Sequence, residues 1–311
     1  MTPLTKALED YLSLRRALGF KLKEDGRCLG QFISFLEENG SSYITTDLAV
    51  SWAVKHQSAQ PVHWARRLRM VRLFAEYIST LDPRTEVPPK NLLPHRHKRK
   101  PPYIYTDGQV MGLIEAARRL PSTVPSATGL RAQTYATLFG LLSVTGMRIS
   151  EVLALKREDV DLTEGVVTVR ETKFGKSRLV PLHPSAQHAL QRYAHLRSHI
   201  YPKAYSFLVD ERGRRLGYWG VLRTFVRLSR ETGLRGPSDS NGPRMHDFRH
   251  RFAVFTLVHW YEKGMDVERH IHVLSTFLGH VKVTDTYWYL SAVPELLQLA
   301  VARLESKGEP S

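Results

Sequence analysis

Residues 83 to 102 read PRTEVPPKNLLPHRHKRKPP, a stretch with six prolines and no helical or strand period. Proline fixes φ and removes a backbone donor, so neither a helix nor a central strand runs through it. The chain is therefore expected to fold as two units joined by an extended connector, and 311 residues suit two domains of ordinary size. The expected boundaries are a helical domain over 1–85, a basic proline-rich linker over 86–103, a second domain over 104–300 and a polar tail over 301–311.

Before the linker the apolar residues recur at helical spacing. Leu4, Leu8, Tyr11, Leu12 and Leu18 fall near one face, and Leu29, Phe32, Ile33 and Leu36 repeat the pattern until Asn39-Gly40 stops it. TTDLAVSWAVKH and PVHWARRLRMVRLFAEYIST supply two more helices, completing a small bundle. In the last of them Trp64, Leu68, Val71 and Ala75 are expected to face the core, while Arg66, Arg67, Arg69 and Arg72 spread over the remaining surface.

Charge points to the partner. Forty-five Lys and Arg against thirty Asp and Glu leave +15, which concentrates polyanions at the surface and favours nucleic acid. The first hundred residues hold 17 basic and 10 acidic side chains, so positive charge is densest in the first domain and linker. Candidate DNA contacts are Arg66, Arg67, Arg69 and Arg72 with Arg96, Lys98, Arg99 and Lys100 of HRHKRK, and the two domains are expected to embrace duplex DNA as a clamp. The single cysteine, Cys28, excludes an intrachain disulfide and suits a reducing compartment. MTPLTKALEDYLSLRR lacks the apolar run of a signal peptide, and no segment has the length of apolar sequence that spans a bilayer. The expectation is a cytoplasmic protein associated with DNA, with no membrane.

After the linker the pattern becomes mixed α and β. TDGQVMGLIEAARRL opens on a Thr106 cap, and QTYATLFGLLSVTG is an apolar helix ended by glycine. Val166 to Arg170 and Ser177 to Leu182 flank a polar Lys-Phe-Gly-Lys turn and read as a hairpin. SFLVDERGRRL suggests one more short strand and turn, and PSDSNGPR reads as a loose segment.

Several groups suit chemistry on a phosphodiester. Arg148 emerges in TGMRISEVLAL directly after the glycine turn, with Glu151 available to orient it. Arg249 lies in MHDFRHRF, three residues after His246 and so on the same side of a helix. Two guanidiniums from separate segments match the nonbridging oxygens of one phosphate and stabilise charge that grows on it. Lys173, beside the hairpin glycine, is placed to bring an ammonium to a leaving oxygen. His280 follows Leu-Gly, and nine residues on lies Tyr289 in TDTYWYL; Tyr287 and Tyr289, two apart on a helix, face different ways. His250 reads as a packing residue. His246/His250 and His270/His272 have ligand-like spacing, but no HExxH, second cysteine or carboxylate cluster completes a metal site, and no GxSxG turn or phosphate loop is present.

Taken together, TGMRISEVLAL, TKFGKSRLVPL, HDFRH, LGH and TDTYWY resemble, in order and separation, the tyrosine recombinase or phage integrase family. The resemblance implies a mainly α two-domain fold, with an N-terminal helical core-binding domain and a C-terminal mixed α+β catalytic domain. It implies that Arg148 and Arg249 clamp the scissile phosphate, that Lys173 is the general acid for the departing 5′ oxygen, that His246 and His280 assist, that Glu151 supports the arginine turn, and that Tyr289 is the nucleophile. The implied reaction is site-specific DNA recombination through a 3′-phosphotyrosyl link, with no metal or other cofactor. Coordinated exchange implies a homo-tetramer on two duplexes with paired inverted sites, with accessory DNA-binding proteins as possible partners. Alternatives of the same chemistry are a type IB-like topoisomerase or a telomere-processing enzyme; a nonenzymatic DNA-binding module belongs to a different class. Phe248 stands where the family more often has leucine, and Leu290-Ser291 where it often has Thr-His.

Overall fold

The computed structural model describes residues 3–94, 101–124, 129–170, 177–292 and 296. Contacts divide the chain into two compact units, Met1–Lys100 and Pro101–Ser311. Lys173, Arg96, Lys98, Arg99, Lys100, the Lys-Phe-Gly-Lys turn and the tail lie outside the described residues.

The first unit is a bundle of α1 (Pro3–Ala17), α2 (Lys23–Glu38), α3 (Thr46–Val54) and α4 (Pro61–Ile78). Its core takes Leu4, Leu8, Tyr11 and Leu12 from α1 and Leu29, Phe32, Ile33 and Leu36 from α2, as the helical spacing predicts. Leu18 instead lies beyond the end of α1 and is exposed. The face of α4 that packs inward is Leu68, Met70, Val71, Phe74, Ala75 and Ile78. Trp64 sits only at its margin and donates its indole N–H to the carbonyl of His56. The buried tryptophan is Trp52 of α3, whose ring centroid lies 5.2 Å from that of Phe32. Cys28 packs at the edge of this core, where burial raises the thiol pKa and keeps it protonated.

The connector begins later than its prolines suggest. Glu86 donates its backbone N–H to the Ile44 carbonyl, and its carboxylate accepts the N–H of Thr46 at 2.7 Å. Helix N-termini carry unsatisfied donors and partial positive charge, so a carboxylate is well placed there. Leu93 also packs against the first core.

In the second unit, α5 (Asp107–Arg118) starts on a full capping box between Thr106 and Gln109. It packs on α6 (Leu130–Thr145), which is buried on most sides. α7 (Ile149–Ala154) follows, then a 3-10 turn, and β1 (Val160–Asp161), β2 (Val166–Val169) and β3 (Arg178–Pro181) form an antiparallel sheet in sequential order. The hairpin register runs from Val166 opposite Pro181 to Val169 opposite Arg178, with Val167, Val169 and Val180 buried. SFLVDERGRRL forms the expected turn, closed by the Gly213 N–H on the Asp210 carbonyl, but isolated bridges in place of a full strand: Ser206 to Lys156 and Val209 to Arg215.

Among the described residues five further helices follow: α8 (Pro184–Ile200), α9 (Tyr218–Glu231), α10 (Asp247–Glu262), α11 (Val267–Leu278) and α12 (Thr284–Ala292). Phe248 near the start of α10 is fully buried, stacked on Tyr105 at 4.7 Å and on Phe139 at 6.2 Å. An aromatic ring where leucine is more common thus locks this helix against α6. PSDSNGPR is more ordered than it reads: the Gly236 N–H donates to Asp239, Arg235 reaches the Pro243 carbonyl, and Asp247 receives both the backbone and the guanidinium of Arg244. A second apolar cluster joins α10, α11 and α12 through Val254, Leu257, Leu274, Leu278 and Tyr289. No helix among the described residues is long and apolar enough to cross a membrane.

Candidate active site

α6 ends at Gly146 in the left-handed region, φ 57°, where a Cβ would come within 2.8 Å of the Phe252 ring. Only glycine fits this turn without displacing α10. Two residues on, the Arg148 backbone N–H donates to Glu151 Oε2 at 2.9 Å, its Nη1 to Glu151 Oε1 at 2.8 Å and its Nη2 to the Gly279 carbonyl at 3.1 Å. The expected support of Arg148 by Glu151 is therefore direct.

Glu151 is shared with a group that sequence reasoning passed over. Arg178 of β3 donates Nη2 to Glu151 Oε2 at 2.7 Å and Nη1 to Oε1 at 3.2 Å, while its Nε donates to the Phe277 carbonyl. Burial alone would raise the Glu151 pKa, but the hydrogen bonds and charge of Arg178, joined by those of Arg148, outweigh it and hold the carboxyl below its usual range. The carboxylate ties α7 to β3, and through the two arginines to the end of α11.

Arg249 is carried by the first turn of α10. It is 2% exposed, and Nη1 donates to the Gly146 carbonyl at 3.0 Å. Its Nη2 is buried with no hydrogen-bond partner among the described residues. Burial, then repulsion from Arg148, pushes the guanidinium down to about 9, so it remains charged at neutral pH. A buried cation with an unused donor is costly unless an anion fills the place.

The histidines and Tyr289 form a connected group of rings, with centroids 4.7 Å apart between His246 and His250, 5.5 Å between His250 and Tyr289 and 6.4 Å between His280 and Tyr289. His246 stands at the N-cap position of α10 without a side-chain cap bond and stays open to solvent on one side; partial enclosure and the Arg249 charge lower its pKa below the ordinary histidine range, so it is neutral at pH 7. His280 Nδ1 lies 2.7 Å from Thr286 Oγ1, a buried hydroxyl of α12. Tyr289 is 1% exposed and Tyr287 is 43% exposed, so the two tyrosines face apart as the helical angle requires. The Tyr289 hydroxyl lies 2.9 Å from Nδ1 of buried His250, and Tyr289 is among the groups that act electrostatically on Arg249. His250 thus does more than pack. The sequence signal for it was its place next to Arg249 and one helical turn from His246; Arg178 and Thr286 carry no comparable signal.

Among the described residues, no three His, Cys, Asp or Glu side chains gather as a metal site. His270 turns its Nδ1 to the Asp266 carbonyl of its own helix.

The arginines of α4 divide. Arg66 and Arg69 are exposed; Arg66 approaches Asp25 at only 4.0 Å. With Arg72 and Lys90 they line a cleft of about 400 Å³ that is also bordered by Leu92 and Leu93. Arg72 is mostly covered and reaches Glu76. Arg67 departs from the expected surface position: it donates Nη2 to the Trp52 carbonyl and lies over the Trp52 ring at 3.8 Å. A cation stacked on an aromatic face inside the bundle is favourable there and leaves little of it for a phosphate.

The model of the phage integrase family matches residues 107–295. Over 312 aligned positions the chain is 48% identical to the integrase/recombinase y4rB of Sinorhizobium fredii strain NGR234, with 99% of each chain covered. It is 30% identical over 291 positions to tyrosine recombinase XerC of Herpetosiphon aurantiacus, covering 90% of this chain and 87% of that one. Among solved structures, a lambda integrase tetramer bound to a Holliday junction shares the fold, with a TM-score of 0.57 at 17% identity over 90% of this chain and 78% of that one.

Proposed function

Because the chain belongs to the phage integrase family of tyrosine recombinases, we propose that this site cleaves and rejoins DNA through Tyr289. The protein is a site-specific DNA recombinase. In this reading the Tyr289 oxygen attacks the scissile phosphorus, Arg148 and Arg249 hold the nonbridging oxygens, and His246 and His280 donate to the same oxyanion. Lys173 protonates the departing 5′ oxygen. The 3′-phosphotyrosyl link conserves phosphodiester chemistry, so a 5′ hydroxyl from another strand reverses the step without ATP, metal or net hydrolysis. Residues 1–85 act as the core-binding domain, using Arg66, Arg69 and Arg72, with Arg96, Lys98, Arg99 and Lys100 of the linker on the phosphate backbone. Exchange takes four protomers on two duplexes with paired inverted sites, and the reaction runs with DNA in the cytoplasm.

The observation that carries this reading is the buried, partly unbonded guanidinium of Arg249. It is tested by Arg249→Lys and Arg148→Lys on a nicked suicide substrate that traps the covalent intermediate. Lysine keeps the charge but loses the fork, so cleavage is expected to fall about 10²–10³-fold with a much smaller loss of DNA binding. Cleavage is expected to persist in EDTA at fixed ionic strength. Equal losses of binding and cleavage, or rescue by a specific metal after chelation, would contradict the mechanism.

A further inference from the structure

His250 takes no part in the scheme above, yet it touches the atom that reacts. Its Nδ1 lies 2.9 Å from the Tyr289 hydroxyl, both side chains are buried, and the two rings meet edge to face at 5.5 Å. Trp288 packs on the same imidazole at 5.7 Å and His246 meets it edge-on at 4.7 Å. His250 also follows Arg249 directly on α10, so the helix that carries one phosphate ligand fixes the imidazole as well. A phenol with an ordinary pKa near 10 is almost wholly protonated at pH 7, and its attack is slow unless a base takes the proton.

We infer that His250 is the general base for Tyr289. This rests on Tyr289 being the nucleophile. With the ring proton on Nε2, Nδ1 accepts from the phenol, which is the tautomer that the step requires. As the Tyr289 oxygen bonds to phosphorus, the phenolic proton passes to His250 Nδ1 and the bond from phosphorus to the 5′ oxygen breaks; that oxygen takes its proton from the general acid. In the return step the 5′ hydroxyl attacks, and protonated His250 gives the proton back to the departing tyrosine. No proton or electron is left over. His246 is a poorer candidate for this task because it stands open toward solvent beside Arg249, whose charge works against a second proton on its ring. His280 is occupied at Nδ1 by Thr286, and its ring lies parallel to Tyr289 at 6.4 Å.

The test is single-turnover formation of the covalent adduct on the suicide substrate, with DNA affinity measured in parallel. His250→Ala is expected to slow the adduct by about 10²–10⁴-fold, the span of general-base catalysis, with affinity retained, and added imidazole is expected to restore part of the rate. His250→Asn keeps a small hydrogen-bonding side chain but no base, so it is expected to be slow as well. A wild-type rate in His250→Asn, or an alanine variant that imidazole does not speed, overturns the inference. Peptide mapping separates this from the reading beneath it: an adduct on Tyr289 formed at full rate by His250→Asn removes the base alone, whereas an adduct on another residue removes the Tyr289 assignment.

Discussion

Replacing Glu151 by glutamine removes a charge that two arginines share, and the cost falls mainly on Arg178, which is only 8% exposed at its side chain. Breaking a buried pair in this way costs about 3 kcal/mol, to be measured by denaturant unfolding. The pH dependence has a definite sign. The folded-state pKa of Glu151 lies below its unfolded value, so its contribution is complete above the ordinary carboxylate range near 4.3 and is lost as pH falls through the folded value. The glutamine variant is therefore expected to show a flatter acid limb than the wild-type protein; parallel limbs would remove Glu151 as the source. Much at this scale was legible in the sequence: Arg148 follows a helix-ending glycine, and the two-residue offset separates Tyr287 from Tyr289. Arg178 and Thr286 were not, because their partners, Glu151 at 27 positions and His280 at six, depend on the sheet and on the turn before α12. Arg67 misled for a related reason: composition reports a charge, while its stacking on Trp52 exists only once α3 meets α4.

The elements that assemble the site meet at two glycines, which gives the account a test at this scale. Gly279 ends α11 at φ 69°, its carbonyl holds Arg148, and a Cβ there would come within 2.8 Å of Arg178 Nη1. Gly279→Ala is expected to destabilise by about 1 kcal/mol or more from the left-handed backbone alone. It is also expected to loosen both arginines, so cleavage drops further than the stability change explains; a variant with unchanged cleavage would show that this junction does not organise the site. Helix ends and the hairpin were legible because capping chemistry and β-rich pairing are local: Thr106 with Gln109, Gly146, and the valines of β2 and β3. The linker boundary was not, since the prolines mark where regular structure stops but not that Glu86 returns to cap α3.

For the whole molecule, the two-unit division and the basic balance were visible in composition, and each makes a measurable demand. Each phosphate neutralised steepens the slope of log affinity against log salt by about 0.9. Reversing the exposed pair with Arg66→Glu and Arg69→Glu is expected to weaken binding to cognate and unrelated duplexes alike and to flatten that slope by about 2; an unchanged slope would take these side chains off the DNA. What composition could not reveal is which hydroxyl reacts, because that depends on α10 and α12 meeting. The most direct measurement of the central claim is peptide mapping of the protein trapped on a nicked suicide substrate. The account predicts DNA mass on Tyr289, no adduct from Tyr289→Phe despite normal folding and binding, and a retained adduct from Tyr287→Phe; DNA mass on Tyr287, or an adduct that survives Tyr289→Phe, would contradict it.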